Sequence, residues 1–316
     1  MVIASPHLRP AHPLRGILFK LASVCVFVAM ASLIKAVSGH VPPGQAVFFR
    51  SLFATPVIVV WLLMRGELRH GLTTKQPLGH FWRGLIGTSA MGLGFAGLGL
   101  LPLPEVTAIG YAAPLLTVIF AAMFLNEEVR AFRLSAVALG LIGVVIVLSP
   151  RLSVGAGPMD AVETLGAVVV LGGAVCAALA QVFVRKLVAT EGTAAIVFWF
   201  SVTATLLSLL SLPWGWVIPA PRETLMLVCA GLLGGLGQIL LTSSYRFADA
   251  SVVAPFEYAS MILAIGVGYF IFGEAPTWVT IGGAAIIIAA GVLIIWRERQ
   301  LGLERARQRK AMGLGS

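Results

Sequence analysis

Charge is what this sequence has least of. Asp, Glu, Lys and Arg make up 11% of its 316 residues against 59% hydrophobic ones, and only 13 residues are acidic. A soluble chain of this length cannot enclose so much apolar surface in one core, so lipid is its expected solvent. Strands of alternating polar and apolar residues are missing, which argues against a β-barrel. Cysteine is scarce as well: Cys25, Cys176 and Cys229 are odd in number, lie in apolar runs and have no C-x-x-C spacing, so neither disulfides nor a zinc site is indicated. The five histidines, His7, His12, His40, His70 and His80, are scattered over the N-terminus, loops and one helix boundary. No cluster suited to acid–base or metal chemistry forms, and no nucleophile–base pair stands out, so no catalytic residue, metal or cofactor is expected.

Long apolar runs are abundant. A helix needs roughly 20 apolar residues to cross a hydrocarbon core of about 30 Å with every backbone group satisfied internally. Ten such helices are predicted at 15–37, 44–64, 80–101, 104–125, 132–149, 164–187, 193–213, 223–246, 249–272 and 277–296. Breaker clusters mark most junctions, among them Val41-Pro42-Pro43-Gly44, Pro102-Leu103-Pro104 and Gly273-Glu274-Ala275-Pro276. The first run is too long for a signal-peptide core, lacks an evident cleavage region and is followed by nine more, so it reads as the first membrane helix.

The net charge of +9 sits in short loops and tails. With the N-terminus cytoplasmic, 18 of the 22 Lys and Arg residues fall on the inner side, Lys20 and Arg83 counted among them, and only Arg151 and Arg222 on the outer. That bias predicts a multi-pass protein of the bacterial inner membrane with both termini in the cytoplasm. The basic stretch from Arg297 to Lys310 suits an anionic lipid surface, and no nucleic acid is expected as a partner.

The halves resemble each other. Residues 16–51 align on 166–201 without gaps, matching Gly16 with Gly166 and Ser51 with Ser201, and 108–127 align on 255–274, matching Tyr111 with Tyr258 and Glu127 with Glu274. Five helices per repeat is an odd number, so the second repeat enters the membrane from the opposite side. The predicted fold is therefore all-α and polytopic, with ten helices as two inverted five-helix repeats. Its parts are an N-terminal tail (1–14), a first repeat (15–149), an external linker (150–163), a second repeat (164–297) and a basic tail (298–316). Inverted repeats recur in secondary transporters, whose substrate site lies near the midplane between the halves.

Phe124-Leu125-Asn126-Glu127 and Ile271-Phe272-Gly273-Glu274 stand at equivalent places in the two repeats. With the two-times-five pattern they resemble the drug/metabolite transporter superfamily, EamA type, over residues 15–297, where a Leu-Gly-Glu signature ends a helix. Asn126 replaces the usual glycine in the first copy, and Asn also tolerates a left-handed cap. The resemblance implies a metabolite carrier without naming its cargo, since members move amino acids, riboflavin, S-adenosylmethionine or sugars.

Several residues in the spans are candidates for that work. Arg50, about 9 Å from the outer end of its helix at 1.5 Å per residue, reads as a counter-charge for a substrate carboxylate or an internal acid, or as a structural or snorkelling cation. Glu257, about 12 Å from the inner end, reads as a proton-coupling or substrate-binding carboxyl, or as a neutral packing group. Tyr111 and Tyr258, with Phe256 beside the second, would stack on a flat ligand or pack the core, and Pro114 and Pro255 would kink the same helices toward a cavity. Gln181 and Gln238 are amides needing partners in lipid, from another helix or from substrate. Lys35 and Arg185, near helix ends, read as snorkelling cations. Gly92-Leu93-Gly94-Phe95-Ala96-Gly97 fits a dinucleotide pattern but lies in a membrane helix without a preceding strand, so it reads as a packing surface. A small neutral, zwitterionic or mono-anionic metabolite and the lipid bilayer are the expected partners, with protons and a second copy of the chain as further candidates. The competing readings are an integral-membrane enzyme, a channel and a non-transporting receptor.

Overall fold

The computed structural model describes residues 13–66, 68, 72–125, 131–152, 158–188, 190–247 and 253–311. They form α1 (Pro13–Val37), α2 (Pro43–Met64), α3 (Pro77–Leu100), α4 (Leu103–Gly110), α5 (Ala112–Leu125), α6 (Ala131–Leu152), α7 (Pro158–Val188), α8 (Thr193–Ser208), α9 (Pro221–Phe247), α10 (Ala259–Phe272) and α11 (Trp278–Ala311). Two 3-10 segments, Leu209–Trp214 and Ala254–Tyr258, extend α8 and introduce α10. Taking α4 with α5 as span 4 and the second 3-10 segment with α10 as span 9, the helices make ten spans in sequence order. Eight are long and apolar enough to cross a membrane, α6 adds a shorter apolar stretch at Leu134–Pro150, and α3 is diluted by Arg83 and its glycines. Large apolar side chains such as Phe270 and Trp278, more than four-fifths exposed, cover the lipid-facing surface.

Local chemistry explains the breaks. The 104–125 helix expected from the sequence is interrupted at Tyr111, because Pro114 has no N–H to give the Gly110 carbonyl. Tyr111 N–H still closes the preceding turn, shared between Thr107 O at 3.3 Å and Ala108 O at 3.2 Å. Pro255, expected to kink its helix, stands in the first turn of the 3-10 segment, where a missing N–H costs nothing. The motif Phe272-Gly273-Glu274 ends α10 with Gly273 at φ 69° and Glu274 N–H on Gly268 O at 2.8 Å, a left-handed cap that asks for glycine. Helix α6 continues through Pro150, whose absent N–H at the Ile146 carbonyl is replaced by Ser149 Oγ at 2.8 Å. Helix α7 begins at Pro158, inside the stretch 150–163 expected as a linker. The last helix runs on to Ala311, so most of the basic tail continues span 10.

Packing repeats the duplication. The most extensive contacts join α1 to α9, α3 to α7, and α6 to α11, followed by α2 with α9 and with α8, α5 with α7, and α3 with α8. Exchanging the repeats turns the pair of spans 1 and 8 into that of spans 6 and 3, and spans 2 and 8 into spans 7 and 3, while spans 2 with 7 and 5 with 10 map onto themselves. The helix partners thus obey the symmetry of two inverted five-helix repeats. Spans 5 and 10 touch backbone to backbone: a Cβ at Gly143 would stand 2.8 Å from Gly283 O, and one at Gly283 the same distance from Gly143 O. On α9, a Cβ at Gly231 would meet Phe49 O at 2.9 Å, whereas Gly92 and Gly94 on α3 have nothing within 4 Å.

Candidate functional site

A cavity of about 650 Å³ opens among spans 1, 4, 6, 8, 9 and 10. Its deep end is Thr107, Gly110 and Tyr111, at the helix break near the middle of span 4. The other lining residues lie in the half of the bundle where α1 begins, including Lys20, Pro114, Gln181, Leu241, Glu257, Tyr258 and Gly291. The volume suits a metabolite of drug-like size, and the wall combines apolar surface with a few convergent polar groups.

Two pairs of side chains dominate it. Lys20, 2% exposed, is ion-paired and hydrogen-bonded through Nζ to Glu257 Oε2, while the Glu257 side chain keeps 45% of its surface open. The ammonium is therefore sunk in the wall and the carboxylate faces the space. Tyr111 and Tyr258 meet edge to face, with ring centroids 5.1 Å apart and planes at 73°, and Tyr111 Oη is 2.5 Å from Ser260 Oγ. Ser260 Oγ in turn donates to Glu257 O at 2.7 Å, so the rings and the charged pair share one hydrogen-bonded corner.

Tyr111, Gln181, Glu257, Tyr258 and Pro114, singled out from sequence, thus line one cavity. Phe256 and Pro255 are not in its lining, and Gln238 faces a small crevice with Trp61, Val197 and Thr242. Arg50 is elsewhere, 5% exposed, where a Cβ added at Gly234 of α9 would come within 3.0 Å of its Nε. Two residues that charge counting assigned to the inner loops belong to the interior. Lys20 forms the cavity wall, and Arg83 lies six residues beyond the start of α3 with its guanidinium 3.5 Å from the Phe200 ring centroid. Each is a cation flanked on both sides by apolar residues, which is the signal that could have found it.

The opposite end of the bundle is fastened. Lys35, expected to snorkel, turns inward instead: its Nζ is 2.8 Å from Glu274 Oε1 and donates to Leu98 O at 3.0 Å and Leu101 O at 2.8 Å. Glu274 Oε2 accepts from Leu103 N–H at 2.8 Å, which caps α4. Gln45 holds the chain before α9 by exchanging two hydrogen bonds with Val217, and His40 Nδ1 lies 2.9 Å from Glu223. Glu127, the repeat mate of Glu274, lies outside the described residues, as does the side chain of Arg185. At the end where α1 begins, Glu191 accepts from Lys75 N–H, Gln76 N–H and Thr74 Oγ1 at 2.6, 2.9 and 2.9 Å. Burial pushes its carboxyl up, but these hydrogen bonds outweigh that and hold it below the ordinary carboxylate range.

A ten-span inverted repeat enclosing a largely apolar cavity with a few polar groups is the frame; the family is decided by a match of both halves, residues 14–149 and 164–296, to one description. The chain belongs to the EamA-like transporter family. It is 30% identical over 256 residues to an S-adenosylmethionine uptake transporter of Rickettsia bellii, covering 81% of this chain and 84% of that one. It is 29% identical to the pseudopaline exporter CntI of Pseudomonas aeruginosa over 88% and 95% of the two chains, and to a riboflavin transporter of Rhizobium johnstonii over 81% and 82%. A solved crystal structure covers 90% of this EamA chain with a TM-score of 0.64 at 23% identity, a likeness of fold. All three named relatives are transporters, one for uptake and one for export, so membership of the EamA family supports a non-enzymatic membrane transporter for a small molecule while leaving cargo and direction to the individual site.

Proposed function

We propose that this protein is a secondary transporter that carries a small metabolite across the bacterial inner membrane by alternating access between its two repeats. The observation that carries the reading is the 650 Å³ cavity with Lys20–Glu257 and Tyr111–Tyr258 in its wall, closed at the opposite end by Lys35 and Glu274. With both termini cytoplasmic, this is an inward-facing arrangement. Within the neutral, zwitterionic and mono-anionic classes, the paired charges favour a zwitterion: its carboxylate would take Lys20, its ammonium Glu257, and no net charge would be buried. The tyrosine pair would carry the substrate's flat or apolar portion. Amino acids fit this better than riboflavin, as does the amino-acid end of S-adenosylmethionine, whose sulfonium adds one positive charge for the tyrosine faces to meet. Glu257 is also the carboxyl through which protons would couple, since protonation releases Lys20 as substrate does.

Uptake and counterflow in proteoliposomes, with amino acids, S-adenosylmethionine and riboflavin and with or without an imposed pH gradient, tests the reading. Saturable exchange of a zwitterion, reduced at least tenfold by Glu257→Gln, is the expected result. Movement of riboflavin alone would overturn the charge reading, and an unchanged rate and pH dependence in Glu257→Gln would remove the coupling role.

A further inference from the structure

Among the described residues, every buried side-chain nitrogen or oxygen left without a hydrogen-bond partner lies on α2 or α3: Arg50 Nε and Ser51 Oγ on the first, His80 Nδ1 and Nε2, Arg83 Nε and Nη1, and Thr88 Oγ1 on the second. All but one nitrogen of a neutral His80 can donate, and the charges among them are positive. These helices pack against each other, and Arg50 and Arg83 feel each other's charge. Beside Arg50 Nε is Gly234 of α9, with Met30 Sδ of α1 against the same glycine, and over Arg83 lies the Phe200 ring of α8; none of these is anionic. Glu191 brings its Oε2 to 3.9 Å from His80 Nε2, beyond hydrogen-bonding reach, while its Oε1 takes three hydrogen bonds from the α2–α3 loop.

Two guanidiniums with covered, unpaired nitrogens and the same sign of charge are among the most costly arrangements a membrane interior can hold. Water would satisfy donors but would not offset the charge. An anion does both, and a carboxylate matches the planar fork of a guanidinium with two parallel hydrogen bonds. Glycine keeps the edges of both cations clear: a Cβ at Gly234 would press to 3.0 Å from Arg50 Nε, and one at Gly87 to 3.4 Å from Arg83 Nη1.

We propose that Arg50 and Arg83, between α2, α3, α8 and α9, form a second site, outside the lining of the Lys20–Glu257 cavity, that takes a small monovalent anion of the carboxylate type. The carboxylate can come from solution or from a transported molecule, and the site stands whether or not the cavity takes a zwitterion. It also makes Arg50 part of a two-cation receptor rather than a lone counter-charge.

The test uses the full chain purified in detergent at constant ionic strength, with methanesulfonate, which has no carboxylate, replaced stepwise by formate or chloride. The expected result is a saturable rise in melting temperature of several degrees, stronger for formate, that is lost in Arg50→Gln and in Arg83→Gln. If one variant does not fold, the other and Arg83→Lys, which keeps the charge but not the fork, decide the matter: Arg83→Lys should weaken the formate response and preserve that of chloride. A melting temperature indifferent to the anion, or one that responds equally in the variants, overturns the site. Proteoliposomes separate the sources. Transport that fails in methanesulfonate and returns with formate identifies a solution anion, and formate acting as a competitor of transport identifies the substrate's own carboxylate.

Discussion

Replacing Gly291 by alanine tests the cavity corner at its tightest point. A Cβ built there overlaps Tyr258 Oη outright and stands 2.6 Å from Cζ and 3.1 Å from Cε2. Ordinary contact begins near 3.4 Å, so the ring carbon must retreat by about 0.8 Å and the hydroxyl by more. The Tyr258 ring is also held edge to face against Tyr111, itself fixed by its contact to Ser260. The ring therefore gives way into the cavity, or α11 moves outward. Overpacking of this kind costs about 1–3 kcal/mol, and loss of the edge-to-face contact accounts for about 0.5–1.5 kcal/mol. For Gly291→Ala we expect a protein that folds with a lower melting temperature and a substrate KM at least tenfold higher, with Gly291→Ala/Tyr258→Leu recovering the stability. Scanning fluorimetry of purified protein and initial uptake rates in proteoliposomes read both effects. A Gly291→Ala variant with unchanged melting temperature and KM would refute the placement of Tyr258 against α11. A loss of stability that Tyr258→Leu does not recover would refute the ring as the yielding element.

Two further expectations follow from contacts at the ends of the bundle. The folded-state carboxyl of Glu191 titrates below its unfolded value of about 4.5, so its contribution is complete above that pH and is lost as pH falls through the folded value. Glu191→Ala should lower stability by about 1–3 kcal/mol at neutral pH and flatten the acid limb of a plot of melting temperature against pH; an acid limb as steep as wild type would count against it. Glu274→Gln should loosen the end that Lys35 fastens, making Leu103→Cys, in a background with Cys25, Cys176 and Cys229 replaced, react at least tenfold faster with an impermeant thiol reagent. Equal labelling rates with and without Glu274 would show that the pair does not hold this end closed.

Most of the architecture is legible in the sequence because lipid imposes a rule that can be read locally: about 20 apolar residues, then a breaker. The repeat is legible because Tyr111 and Tyr258, and Glu127 and Glu274, fall in step. The break at Tyr111 has its cause in Pro114, but the proline alone does not say whether a helix bends or parts. Charge counting misplaced Lys20 and Arg83 because a cation a few residues inside a helix looks the same whether it snorkels to the surface or turns inward. That choice depends on partners such as Glu257, 237 positions away from Lys20, and Phe200, on a helix of the other repeat. Pairing across the repeats is a property of the folded bundle, and no local pattern encodes it.

The glycine seam between spans 5 and 10 has a consequence for how such a molecule can fail. When two inverted repeats exchange roles, a contact that maps onto itself is present before and after, whereas one that is closer than its symmetry mate is tightened in one arrangement and loosened in the other. Gly143 and Gly283 belong to the first kind, and the packing of α5 on α7, closer than that of α10 on α1, to the second. A methyl group added at the seam would strain both arrangements alike, lowering the amount of carrier without tilting its preference for either side. The same injury between α5 and α7 would leave more of the protein intact but facing the wrong way.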